Sequence, residues 1–153
     1  MPELSNVEKV EFLKGGAAIL YGNVSPGGLM NIVTKKPKFE KGGELSLRVG
    51  SFDFIKPTID LYGALGNSKK MAYRINSTFE KANSFRDKVH HERIYYNPSF
   101  LYEVSKKTSL LIEGDYLKEN RTADFGIGAI NYTLPNVPRS NFIGVDWGYN
   151  NVE

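Results

Sequence analysis

The chain has 153 residues, of which 41% are hydrophobic and 24% are charged, so it is neither a disordered chain nor a bundle of membrane-spanning helices. The 20 basic and 17 acidic residues are interspersed, so the net charge of +3 does not predict nucleic acid as a partner. The absence of cysteine excludes disulfides, thiolate metal sites and cysteine nucleophiles.

The first predicted elements lie in a glycine-rich segment, residues 7–37. A strand over 7–15, a short helical turn over 17–22, a tight Ser-Pro-Gly-Gly turn and a second strand over 29–37 are expected. The segment lacks the Gly-Lys-Ser/Thr ending of a phosphate-binding loop and has no G-x-G-x-x-G, so we do not expect it to bind phosphate. The amino terminus has neither a basic nor an apolar signal-peptide region, so no signal peptide is expected within it.

From residue 43 onward, apolar and polar residues alternate with a period of two, which predicts about five strands. Each strand has one apolar and one polar face. In the third of these strands, Met71, Tyr73, Ile75 and Phe79 share the apolar face, and Ala72, Arg74, Asn76, Thr78 and Glu80 share the polar face.

Two architectures give this alternation: a soluble sandwich and a transmembrane barrel. Strand lengths of about ten residues or more favour the barrel. Aromatic residues near the strand ends also favour it, because they match an interfacial girdle: Tyr73, Phe79, Tyr96, Tyr102 and Tyr116. Pro57 and Pro98 count against the strands that contain them, because proline cannot donate to a ladder.

The predicted connections alternate in length, as they do in outer-membrane barrels. Residues 66–70 and 105–108 are predicted inner turns, and residues 50–54, 83–92 and 122–153 are predicted external loops. About five strands cannot close a membrane barrel, because the smallest has about eight. The fold class is therefore all-β, with small α/β character in the first segment, and the chain is interpreted as part of a larger barrel.

Three motifs follow one another in the first 40 residues: Val7, Glu8, Val10, Glu11, Leu13 and Gly15; then Leu20-Tyr21-Gly22; then Gly27, Gly28 and the run from Asn31 to Pro37. Their order resembles the second half of the plug domain of TonB-dependent outer-membrane receptors, with Gly16 where that family usually has proline. The later strands resemble the first barrel strands of the siderophore-receptor branch. The run from Pro138 to Phe142 matches a Pro-Arg-x-x-Phe pattern in the following external loop.

This resemblance implies a division into the C-terminal half of a plug, residues 1–40, and the first barrel strands and external loops, residues 41–153. It implies a receptor in the outer membrane of a Gram-negative bacterium, with a ferric-siderophore as transported ligand and no directly bound cofactor. The implied partners are TonB, whose binding box is not among these residues, and outer-membrane lipid. Tyr21 is implied to sit at a plug tip near the bound chelate. The polar faces would line a wet lumen touching the plug, through Arg48, Asp60, Arg74, Glu80, Arg93, Glu113 and Asp115.

Two other functions stay open on the sequence alone: a soluble β-rich binding module and a piece of a passive porin-type barrel. An enzyme is not expected, because the spacing suggests no catalytic set. The run His90-His91-Glu92 resembles a metal site in composition. However, adjacent side chains on an extended strand point to opposite sides, so we interpret the run as a solvated loop.

Overall fold

The computed structural model describes residues 3–14, 28–66, 68–124, 126–127, 133, 136–144 and 149–152. Within them, a two-stranded sheet is formed by β1 (Val7–Leu13) and β2 (Leu29–Thr34). A seven-stranded sheet is formed by β3 (Gly42–Gly50), β4 (Phe54–Ala64), β5 (Met71–Asn83), β6 (His90–Ser105), β7 (Thr108–Glu113), β8 (Tyr116–Thr122) and β9 (Tyr149–Val152). The predicted all-β class is confirmed. The helical turn predicted over 17–22 lies outside the described residues, and no described helix could cross a membrane.

The antiparallel hairpin of β1 and β2 pairs Val10 with Ile32 and Phe12 with Met30. Gly28 precedes β2 with φ at 111°, and a Cβ there would lie 2.6 Å from the carbonyl oxygen of Leu13. Only glycine combines that backbone conformation with so close an approach. One of the glycines in the opening segment is therefore explained by hairpin geometry.

The large sheet is an antiparallel meander in the order β3, β4, β5, β6, β8, β9, and β7 also pairs with β6. Its connections fall where the alternation predicted them, with two differences. β6 begins at His90, so the predicted loop 83–92 is shorter than expected. β9 lies within the predicted loop 122–153 and pairs with β8. Its sequence, Tyr-Asn-Asn-Val, was too short and polar to show alternation.

β7 and β8 are two parts of one strand beside β6. Ser99 pairs with Glu113 and Tyr96 pairs with Tyr116, so the register is unchanged across the break. The break lies opposite Pro98, and the Gly114 N–H donates to the Pro98 carbonyl at 2.9 Å.

Both prolines lie inside strands, so the expectation that they count against those strands was wrong. The β4–β5 ladder skips the positions around Pro57, between the pairs Ile55–Lys81 and Thr58–Thr78. On its other side, Pro57 keeps its place opposite Leu47 of β3. Each proline therefore costs a local gap on one side of its strand and does not end the strand.

The large sheet is inverted relative to a water-soluble protein. Ala72 and Tyr95 are the only buried hydrophobic residues in the described part of the chain, and nine polar or charged residues are buried there, including Asp60, Arg74 and Asn76. The apolar face is exposed instead, with Leu45 at 77%, Val49 at 70% and Ile112 at 55%. A soluble sheet buries its apolar face, so this arrangement contradicts the soluble sandwich and fits a barrel wall.

Candidate functional site

The polar face of the large sheet binds the segment that follows β2 through a buried ion cluster. The Arg74 Nε and Nη2 donate to the two carboxylate oxygens of Asp60 at 2.8 and 2.7 Å. The Lys35 Nζ lies 2.9 Å from Asp60 Oδ2, and Arg74 Nη1 donates to the Lys36 carbonyl at 3.0 Å. The wall pair Asp60–Arg74 therefore binds one ammonium group and one carbonyl of the hairpin segment, the described residues from Glu3 to Lys36.

A second contact extends this cluster toward β7. The Lys36 Nζ lies 2.7 Å from Glu113 Oε2, and the Thr34 hydroxyl donates to Glu113 Oε1 at 3.1 Å. Lys35 and Lys36 are neighbours on an extended chain, so they reach different strands of the wall. We call Lys35, Lys36, Asp60, Arg74 and Glu113 the inner anchor.

Glu3 makes a separate contact at a different level of the wall. Its Oε2 lies 3.2 Å from Lys56 Nζ and 3.7 Å from Arg93 Nη1, and its side chain is 4% exposed. Lys56 is also paired with Glu80 at 2.8 Å. We call Glu3, Lys56 and Arg93 the outer anchor. The hairpin segment is thus held on both sides of the β1–β2 hairpin.

His91 lies in the same wall as the outer anchor, so the solvated-loop interpretation of this histidine pair was wrong. Its Nδ1 lies 3.2 Å from Glu80 Oε1, and its Nε2 lies 3.3 Å from Glu119 Oε1. His90, the preceding residue in β6, has a different partner, the hydroxyl of Thr122, at 3.3 Å. The described residues contain no group of three or more side chains suited to hold a metal ion.

Opposite Asp60 in the ladder, the polar face carries two asparagines, Asn76 and Asn97, with unpaired amide atoms. Asn76 is fully buried, and neither its Nδ2 nor its Oδ1 has a hydrogen bond within the described residues. Asn97, its cross-strand neighbour, donates to the Gly114 carbonyl at 2.7 Å but leaves its Oδ1 unpaired. The described side-chain contacts between the hairpin segment and the wall are therefore mainly charged, and these asparagines add no hydrogen bond between the two within the described residues.

Three cavities border this contact, and two of them have mostly charged and polar linings. One of about 510 Å³ lies between the residues before β1 and the wall, and Arg48, Lys56 and Glu80 contribute to its lining. Another of about 370 Å³ lies at the end of β5, β6 and β8, where His91, Arg121 and Thr122 contribute to its lining. Both are lined by charged and polar side chains, as expected for a wet lumen.

The residues predicted to share the polar face lie on it, and Asp60, Arg74 and Glu113 contact the hairpin segment directly. Tyr21, the predicted ligand-binding residue, lies outside the described residues. Sequence reasoning missed Glu3 and the partners of Lys35 and Lys36. The opposite charges of the two lysines and of the acids on the polar strand faces could have predicted that they attract each other. They could not have predicted which lysine pairs with which acid. Glu3 lies in no motif, and nothing in the sequence indicated its contacts with the wall.

The comparisons with known proteins agree with this geometry. The chain is 38% identical over 143 residues to the metal-pseudopaline receptor CntO of Pseudomonas aeruginosa, covering 94% of this chain and 20% of the receptor. It is 30% identical over 159 residues to the catecholate siderophore receptor Fiu of Escherichia coli K12, covering 94% and 21%. No family model matches the chain.

A solved structure shows the same arrangement of strands. The ferripyoverdine receptor of the Pseudomonas aeruginosa outer membrane, bound to ferripyoverdine, superimposes with a TM-score of 0.81 and 25% identity. The match covers 95% of this chain and 20% of that receptor. The chain thus spans about a fifth of the length of the proteins that it matches.

An inverted antiparallel sheet whose charged face binds a separate hairpin defines a sector of a plugged outer-membrane β-barrel. The chain is part of a TonB-dependent outer-membrane receptor of a Gram-negative bacterium. The proteins that it matches are transport receptors, not enzymes.

Proposed function

We propose that this chain is part of a receptor that binds a ferric-siderophore or a related metal chelate at the outer face and imports it across the outer membrane. Residues 1–40 belong to the plug and residues 41–153 to the barrel wall. The observation that carries the proposal is the pair of charged anchors between the hairpin segment and the wall. A passive porin would not need such anchors, because it has no separate plug to hold in place.

The arrangement suits a plug that must be retained and then moved. A barrel wide enough for a metal chelate leaks unless it is plugged. A purely apolar plug contact would hold the plug in one place, whereas ion pairs and polar groups in a wet lumen can exchange partners with water. The two anchors give the plug a defined resting position, from which force transmitted through TonB would displace it.

The ligand class follows from the relatives. Their names specify a metal–pseudopaline complex and catecholate siderophores, and the superimposed receptor holds ferripyoverdine. We propose a chelate of the same kind for this receptor, with outer-membrane lipid around the apolar strand faces, no resident cofactor and no enzymatic activity.

Metal uptake by the full-length receptor tests the proposal. The receptor is expressed in a Gram-negative strain that lacks its own siderophore receptors. Uptake is measured with the metal–pseudopaline complex, a ferric catecholate and ferripyoverdine. Uptake of at least one chelate is expected, and it is expected to require both the receptor and TonB.

The controls separate the alternatives. Uptake that persists in a strain without TonB would support a passive barrel and contradict the proposal. Binding of none of the three chelates to the purified receptor would contradict the ligand class. A soluble-module function would require the 153-residue chain to remain monomeric in water without detergent, against the exposed apolar face described above.

A further inference from the structure

The connection between β5 and β6, residues 84–89, is a hydrogen-bonded turn that contacts two other connections at the same end of the sheet. It is closed by hydrogen bonds from the Ser84 N–H to the Val89 carbonyl at 3.0 Å and from the Arg86 N–H to the Ser84 hydroxyl at 3.2 Å. Just before it, the Asn83 amide donates to Asp53 of the β3–β4 turn at 2.7 Å. The turn is therefore well placed to hold a longer loop.

The long connection from β8 to β9 is tied to this turn near its start. The Arg86 Nη1 lies 3.0 Å from Asp124 Oδ1, which also accepts the Gly126 N–H at 2.9 Å. The Thr122 hydroxyl donates to the Lys88 carbonyl at 3.0 Å. These contacts fix only the first residues of the connection.

The same connection returns to the turn near residue 140. The Asp87 N–H donates to the Ser140 carbonyl at 2.8 Å, and the Asn141 N–H closes a turn on the Pro138 carbonyl at 3.0 Å. Between these residues, the Arg139 guanidinium carbon lies 4.6 Å from the centroid of the Phe85 ring. The Arg86 guanidinium carbon lies 5.6 Å from that centroid.

Phe85 is 42% exposed, so burial alone does not account for a large apolar ring at this position. A ring in contact with two guanidinium groups is instead a platform, because the aromatic face attracts cations. Arg139 and Ser140 belong to the Pro-Arg-x-x-Phe pattern noted in the sequence. The structure explains that pattern, because its arginine and its main chain hold the loop on the β5–β6 turn.

We propose that Phe85 and Arg139 form a clasp that holds residues 136–144 of the β8–β9 connection on the β5–β6 turn, and that this positions them at the outer mouth of the barrel for ligand capture. Both are positioning residues in this scheme. The clasp lies next to the cavity at the end of β5, β6 and β8, to whose lining Ser84 and Val89 of the same turn contribute. The role in ligand capture rests on the proposed function, but the contact between Phe85 and Arg139 can be tested without a ligand.

Limited digestion of the purified full-length receptor in detergent with trypsin tests the clasp, because trypsin cleaves after Arg139. Phe85→Leu removes the aromatic face but keeps an apolar side chain, and Phe85→Tyr keeps the ring as the matched control. Cleavage after Arg139 is expected to be roughly two- to fivefold faster in Phe85→Leu and unchanged in Phe85→Tyr. Cleavage at Lys106 in the opposite, inner turn is the internal reference and is expected to be equal in all variants.

Equal rates at Arg139 in the Leu and Tyr variants would overturn the clasp, as would an acceleration at Lys106 that matches the one at Arg139. Binding of the metal–pseudopaline complex is measured in parallel. Chelate binding that is roughly two- to fivefold weaker in Phe85→Leu and unchanged in Phe85→Tyr supports a role of the clasp in positioning the loop for capture. Unchanged binding in Phe85→Leu contradicts that role. If the wild-type receptor binds no chelate, the proposed function fails, while the digestion result still decides the clasp.

Discussion

The inverted sheet makes a sharp prediction for two neighbouring residues of β3. Leu45 points outward and is 77% exposed, whereas Ser46 points to the polar side and contributes to the lining of the larger cavity. Leu45 is the fourth of nine residues in this strand, which places it near the middle of the apolar band. Leu45→Arg and Ser46→Arg therefore introduce the same charge one residue apart on opposite faces.

The expected magnitudes follow from depth and environment. Arginine on the lipid face costs about 2–4 kcal/mol at the midplane and about 0–1 kcal/mol near the interfaces. Leu45→Arg is expected to fall in the first range, and Val49→Arg, near the end of β3, in the second. Ser46→Arg is expected to cost less than Leu45→Arg, because its side chain enters a wet cavity already lined by charges. In a water-soluble sheet, arginine at so exposed a position would change stability by no more than about 0.5 kcal/mol.

The measurement is urea unfolding of the full-length receptor refolded into lipid vesicles, followed by the mobility difference between folded and unfolded barrels. Ile75→Arg in β5 serves as a second outward position, for which the same cost of about 2–4 kcal/mol is expected at the midplane. Asn76 is not a suitable inward control, because it is fully buried and arginine there would collide with its surroundings. Equal costs for Leu45→Arg and Ser46→Arg would refute the assignment of the faces.

Three further predictions concern the anchors, the isolated chain and the ligand. Asp60→Asn leaves Arg74 without its buried carboxylate and is expected to cost about 3–5 kcal/mol, with raised sensitivity to a large antibiotic. Glu113→Gln, whose ion pair is partly exposed, is expected to cost at most about 1 kcal/mol, so an equal effect would contradict the inner anchor. The isolated 153-residue chain leaves the edges of β3 and β9 unpaired in the described sheet, so it should aggregate without detergent, and a cooperatively melting monomer in water would contradict this. Tyr21→Ala in the full receptor is expected to weaken chelate binding by about 1–3 kcal/mol and Tyr21→Phe by less, at equal receptor levels; unchanged affinity in the Ala variant would remove Tyr21 from the site.

The alternation of residue types was sufficient to predict the strands and their faces. Side chains on a strand point alternately to opposite sides, so Arg74 and Ile75 had to face different surroundings whatever the fold. The positions of the turns followed for the same reason, since alternation stops where a strand ends. The motifs around Tyr21 and after Gly28 indicated the family, because their order reflects a whole domain.

Errors arose where local sequence conflicted with strand pairing. Pro57 and Pro98 argued against their strands on propensity, yet pairing on the other side of each strand holds them in place. The histidine pair looked like a loop, because the partners of His91, Glu80 and Glu119, lie on other strands. β9 was missed because four residues with two asparagines at their centre carry no periodic signal.

The sequence by itself determined which residues lie on each face and that one face is polar. Only the tertiary structure decided which polar residues meet: Glu3 with Lys56, Lys35 with Asp60, and Arg139 with Phe85. These pairs join residues that are 53, 25 and 54 positions apart in the sequence. Periodicity is a property of neighbours along the chain, whereas such pairings depend on the register between strands and on where a separate hairpin rests against the wall.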